Sequence, residues 1–271
     1  MKMFSRQNVF FVWQDLLLHR TVIKMILGVM ALLMVAGILP LGMVVVGKWH
    51  SLKDFILLYR YEFFHLPAFL FLLGSALQTN AWVVLRRYRT RRQIGLHKAL
   101  LVVVLAGGVS LWVAAVGGLC TMFVKYVIYP NMPNAHAAFL YVPHSGDKSS
   151  FLYFLVMYFF VTAIYGLLFV AFIDFGGNRF FAFAAVIILA VLDMFTVHML
   201  PYLFYISEQT APVWTILVLI AMMLVLVYTI CLSSSQKNYY VQDDPCINTS
   251  CKTHTPTIAF RQNYYVQDDL L

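Results

Sequence analysis

Charge is what this sequence has least of. Lys, Arg, Asp and Glu make up 11% of the 271 residues, where a soluble globular domain carries roughly 25%. Acids are scarcer than bases, with eleven Asp and Glu against nineteen Lys and Arg. A soluble globule is excluded, because too few charges remain to cover its surface. Cysteine is also sparse. Cys120 and Cys231 fall in apolar runs, whereas Cys246 and Cys251 lie in a polar tail. Neither pair has zinc-ligand or redox CxxC spacing, and a Cys246–Cys251 disulfide requires a tail that faces an oxidising compartment. There is no GxxxxGK[ST] phosphate loop and no HExxH helix, which excludes nucleotide hydrolysis by a phosphate loop and that class of zinc hydrolysis within this chain. His136, His144, His198 and His254 share no helical face. Pro143-His144-Ser145-Gly146 has the wrong residue order for a lipid-phosphatase motif and lacks its basic partners. The reading is therefore of a protein that is not an enzyme and holds no metal or cofactor of its own.

Apolar length is what the sequence has in abundance. Hydrophobic residues make up 62% of the chain and the mean hydropathy is +0.81. A membrane-spanning helix needs about 20 apolar residues, and six runs reach that length: Met25 to Gly47, Phe63 to Leu85, Ala99 to Phe123, Phe151 to Phe175, Phe180 to Leu203 and Val213 to Leu232. They lack the alternation of barrel strands, and a lipid-exposed backbone must satisfy its own hydrogen bonds, so helices are predicted throughout. The fifth run contains Asp193. Its twelve Phe, Val, Ile and Leu residues between Phe180 and Leu200, at roughly −0.5 kcal/mol each, outweigh the roughly +3 kcal/mol of one central acid. The first run begins near residue 22 with no small-residue cleavage pattern and reads as a retained span. Residues 51–61 mix apolar side chains with Lys53, Asp54 and Arg60 and are predicted to lie at the interface before Pro67 enters the second span.

The predicted fold class is an all-α integral membrane protein with six transmembrane helices, an N-terminal amphipathic interfacial helix and a disordered C-terminal tail. Residues 1–233 form the membrane domain and 234–271 the tail. The interfacial helix is read from Asn8 to Arg20, where Gln14, Asp15, His19 and Arg20 interrupt aromatic and aliphatic residues. An early start to the first span is the alternative. Counting Lys and Arg on alternate sides sets the topology. Fourteen fall with the termini, the 86–98 loop and Arg179, against five (Lys48, Lys53, Arg60, Lys125 and Lys148) on the other side. The positive-inside rule then places both termini in the cytoplasm of a multi-pass cell-membrane protein, and Asn248-Thr249-Ser250 is no glycosylation site. The net charge of +8 is spent on orientation in a lipid bilayer; nucleic acid is not a predicted partner.

Four features are candidates for function. Residues 86–98 concentrate Arg86, Arg87, Arg89, Arg91, Arg92 and Lys98 around Gln93, far more positive charge than orientation needs. They either hold anionic headgroups at about 1 kcal/mol per basic residue or dock a cytoplasmic partner. In the third span Ala106, Ser110, Ala114 and Gly118 recur every four residues, a stripe that lets helix backbones approach closely within the chain or between subunits. Asp193 is the single acid placed deep in a run, with Thr196 one turn on and His198 farther round. Together with Gln78 and Asn80 it is a candidate for a translocation path, or else a structural hydrogen-bonding group. Finally, residues 238–244 and 263–269 both read NYYVQDD. The repeat is a duplicated docking motif or a duplication without consequence.

The layout resembles the type-2 permease superfamily of ABC exporters. The likeness rests on the amphipathic lead, the aromatic-rich outer connection, the second span ending in Asn80-Ala81-Trp82-Val83-Val84-Leu85, the Arg89-Thr90-Arg91-Arg92-Gln93 loop and Lys98 opening the third span. It covers residues 1 to about 233. The resemblance implies a permease that works as a homo- or heterodimer with a separate cytoplasmic ATPase subunit, which binds ATP and magnesium. Residues 86–98 would be the coupling helix that sits in a cleft of that ATPase. Tyr205 to Pro212 leaves little room for the family's re-entrant helices before the sixth span. The alternatives are a non-transporting immunity or scaffold protein of the membrane, and a proton-coupled carrier centred on Asp193.

Overall fold

The computed structural model describes residues 6–44, 61–77, 91–123, 126–127, 147–176, 178–196 and 212–236. The described chain is all-α. Helix α1 (Arg6–Leu18) is followed by α2 (Arg20–Val44), and a π-helical turn, Tyr61–His65, leads straight into α3 (Leu66–Ala76). Then come α4 (Arg91–Phe123), α5 (Asp147–Gly176), α6 (Arg179–Phe195) and α7 (Pro212–Gln236). Each of the six apolar runs contains a helix among the described residues. Among them three helices, α4, α5 and α7, are long and apolar enough to cross a membrane, and a fourth span results if α1 and α2 form one broken span. The π-helical turn with α3 is a shorter apolar helix, and α6 has 17 residues. The tail, 237–271, lies outside the described residues, as do most of the predicted interfacial segment and the second half of the predicted second span.

Local chemistry sets the helix ends. Pro67 stands in the first turn of α3, two residues past the π-helical turn, where the helix changes its hydrogen-bond register. Asn178 caps α6, its Oδ1 accepting from the backbone N–H of Phe180 at 2.9 Å and Phe181 at 3.4 Å, the usual task of an Asn N-cap. Helices α1 and α2 meet at a 72° bend. At the bend, His19 directs both its backbone N–H and its ring Nδ1 to the carbonyl of Asp15, at 3.3 and 3.0 Å. The Asp15 carbonyl thus has two contacts from one residue, one to each of its lone pairs, at the point where α1 ends.

Helix α5 forms the centre, packed against α3, α4, α6 and α7. The core brings together Leu66, Phe69 and Leu73 of α3 with Val102 and Leu105 of α4 and Phe154, Val161 and Leu167 of α5. Gly166 fits this crowding: a Cβ there would stand 2.7 Å from Val102 Cγ1 and 2.9 Å from Phe69 Cε1. Gly95 does the same for α4 and α7, since its Cβ would lie 2.9 Å from Cys231 Cα and 3.0 Å from the Ile230 carbonyl oxygen. Outside, the pattern reverses that of a soluble protein. Trp214, Leu217, Leu224 and Tyr228 of α7 and Ile188, Leu192 and Phe195 of α6 are exposed, while Asp15, Glu62, His65, His97, Thr162 and Asp174 are buried. Several apolar helices with apolar outer faces and polar groups turned inward suit a membrane-embedded protein.

Candidate functional site

Two polar constellations stand inside this apolar body. The first ties four helix ends together at the end of the basic segment. Helix α4 starts at Arg91, so Arg91 to Lys98 form its first two turns, eight residues ahead of the predicted span. Within those turns His97 Nε2 is 2.9 Å from Asp15 Oδ2 of α1, with both side chains buried. The next residue, Lys98, donates to Asp174 Oδ1 at the end of α5, at 2.6 Å. The hydroxyl of Ser234, near the end of α7, lies 3.4 Å from the other Asp174 oxygen. A charge taken from water needs a partner of this kind, and each buried acid here has a base. Because Lys98 opens α4 while Asp174 and Ser234 close α5 and α7, α4 runs antiparallel to the other two.

The second constellation lies deeper. Thr162 and Tyr158 sit twelve and sixteen residues before Asp174, about 18 and 24 Å along α5 from the first site. Tyr61 of the π-helical turn hydrogen-bonds through its hydroxyl to Thr162 Oγ1 at 3.1 Å. His65 Nδ1 is 3.0 Å from the Tyr158 hydroxyl. The Tyr158 ring meets those of Tyr61 and His65 edge-on, with centroids 5.5 and 6.0 Å apart, a favoured aromatic geometry. Between Tyr61 and His65 in the π-helical turn is Glu62, 5% exposed, whose Oε2 has no hydrogen-bond partner among the described residues. Asp193 of α6 and Tyr165 of α5 are near enough to couple electrostatically with it. A buried acid with an open oxygen, within electrostatic reach of a second acid, is a costly arrangement in low dielectric.

The sequence candidates separate into three groups. Asp193 is grouped with the deeper site by its electrostatic coupling to Glu62 and Tyr165, but it is only half-buried, whereas Asp15, Glu62 and Asp174 are buried. Thr196 does not join it: it ends α6, is exposed, and donates its hydroxyl to the carbonyl of Leu192 at 2.7 Å. In the small-residue stripe, Ala106 and Ser110 are buried, with Ser110 Oγ donating to the Ala106 carbonyl at 2.7 Å. Ala114 is half-buried, and a Cβ on Gly118 would meet nothing within 4 Å. Close packing therefore uses the first half of the stripe. In the basic segment Arg92 is exposed and Gln93 half-buried, and Arg91 begins the helix. Arg86, Arg87, Arg89, Gln78, Asn80 and His198 lie outside the described residues.

Sequence reasoning missed Glu62, His65, Tyr61, Tyr158 and Thr162, and it read Asp15 as part of a polar helix face. The acidic pair with the π-helical turn carried one available signal, a Glu and a His three residues apart at the mouth of an apolar run. Among the described residues no three His, Cys, Asp or Glu side chains converge as metal ligands do. Comparison with protein-family models, with curated proteins and with solved structures brings no match.

Proposed function

We propose that this chain is a six-span permease subunit of an ATP-driven exporter in the cell membrane, with both termini and the basic segment in the cytoplasm. It would pair with a second permease and couple to a separate cytoplasmic ATPase through residues 86–98. One observation carries the reading. The end of the basic segment is fixed by His97–Asp15 and Lys98–Asp174 to the ends of α1 and α5, with Ser234 of α7 alongside. Force applied from the cytosol to Arg91 and Arg92 passes into α1 and α5 through the His97–Asp15 and Lys98–Asp174 contacts, at 2.9 and 2.6 Å, and to α7 through Ser234. Arg89, Arg91 and Arg92 are docking residues in this scheme, and Gln93 supports them.

The test is purification of the full chain with its ATPase. A bound phosphate-loop ATPase whose turnover rises with the permease and loses that rise in Arg89→Ala/Arg91→Ala/Arg92→Ala supports the proposal. Turnover indifferent to those changes, or no associated ATPase, overturns it.

A second reading, a proton-coupled carrier, is favoured by the open Glu62 carboxylate beside Asp193. It expects proton uptake into ATP-free proteoliposomes under a membrane potential, abolished by Glu62→Gln or Asp193→Asn. The same vesicles without uptake dismiss it.

A further inference from the structure

The bend between α1 and α2 leaves a groove against α4 with a volume of about 580 Å³, within the ~300–1,000 Å³ of small-molecule sites. Its walls are almost wholly apolar, apart from Arg20 and Lys24. These two stand four residues apart and so share one helix face. Neither makes an ion pair among the described residues, because Asp15, the nearest acid in the chain, is turned inward to His97. Along α4 the groove runs from Val104 to Ala115, a length of about 16 Å. That is close to half of a ~30 Å hydrocarbon core, the depth of one leaflet. Trp13 lines it from α1 and Trp112 from α4, the latter donating its indole N–H to the Leu27 carbonyl at 3.2 Å. Gly108 opens the floor: a Cβ there would meet nothing within 4 Å.

We propose that this groove is a binding site for one anionic phospholipid, its phosphate held by Arg20 and Lys24 and one acyl chain laid along α4 past Gly108. Two cations on the α2 wall of an almost wholly apolar groove of leaflet depth complement a molecule that is negative at one end and apolar along the rest. Basic pockets between membrane helices select charged headgroups in this way. The inference needs only that the protein is embedded in lipid and is independent of the exporter reading.

Tryptophan quenching tests it, with the full chain carrying Trp49→Phe, Trp82→Phe and Trp214→Phe, so that Trp13 and Trp112 alone emit, in vesicles containing a minor fraction of brominated lipid; this protein is the reference for the variants below. Brominated phosphatidylglycerol should quench Trp13 and Trp112 at about a tenfold lower mole fraction than brominated phosphatidylcholine with the same chains. Arg20→Gln/Lys24→Gln should bring the two lipids together. Gly108→Leu, which fills the floor, should remove the preference, while Gly118→Leu, equally unobstructed but away from the groove, should keep it. Equal quenching by both lipids in the reference protein overturns the proposal without recourse to any further variant. A preference that survives Gly108→Leu means general attraction to a basic protein, and absence of quenching by either lipid means that a protein segment fills the groove. Either outcome also overturns it.

Discussion

His97 Nε2 lies 2.9 Å from Asp15 Oδ2, a contact between residues 82 positions apart that fastens α1 to the first turns of α4. Both side chains are buried, 5% and 1% exposed, so the pair is screened little by solvent. Removing one member strands the other in an apolar setting. Asp15→Ala or His97→Ala should each cost about 3 kcal/mol, measured by unfolding of the detergent-solubilised protein. The double variant should cost clearly less than the sum, with a coupling of about 1–3 kcal/mol. Additive losses would mean that the two groups do not act as a pair.

Lys98 and Asp174 make the parallel contact to α5, and replacement by apolar residues should separate pairing from burial. Lys98→Met alone leaves Asp174 uncompensated and should lower the melting temperature. Lys98→Met/Asp174→Leu should recover most of the loss, because a buried ion pair exchanged for apolar side chains is often neutral or better. A double variant as unstable as the single one would contradict this.

Glycine substitutions should divide by location. Gly95→Ala places a Cβ 2.9 Å from Cys231 Cα, against backbone that cannot step aside, and should cost about 1–3 kcal/mol. Gly28→Ala and Gly118→Ala meet nothing and should be neutral or gain up to about 1 kcal/mol from helix propensity. Thermal unfolding of the three variants side by side decides the point.

These contacts also mark where the sequence was legible. Helical class and the positions of the apolar runs follow from length alone, because about 20 apolar residues suffice for a span, and every run contains a helix. The start of α4 was legible in part. Ile94 and Leu96 within the basic stretch, and the resemblance to a coupling helix, point to a short helix before the third span; in the structure the helix begins at Arg91 and runs without a break into the span, with Ile94, Gly95 and His97 buried. Asp15 was assigned to the polar side of an interfacial helix. In the structure it faces the protein while Trp13, Leu17 and Leu18 of the same helix are exposed, the inversion that lipid imposes. The deeper site was hidden for a different reason. Tyr61–Thr162 and His65–Tyr158 join residues 101 and 93 positions apart, and no periodicity within a run encodes a pairing between runs.

In that deeper site, Tyr61→Phe should cost about 1 kcal/mol through the lost bond to Thr162. Glu62→Gln should cost no stability, since its Oε2 has no partner among the described residues and a neutral amide is cheaper to bury than a charge. Unfolding measurements that rank Glu62→Gln below Tyr61→Phe in stability would show that the Glu62 carboxylate holds a structural contact instead.

The account turns on the helix ends joined by Asp15, His97, Lys98 and Asp174 facing the cytosol, where an ATPase can reach Arg91 and Arg92. The direct measurement is labelling of Arg92→Cys by a membrane-impermeant maleimide, with Cys120, Cys231, Cys246 and Cys251 replaced by serine. Labelling in inverted vesicles and protection in intact cells is the predicted result. Labelling of intact cells would put the basic segment outside and contradict the account.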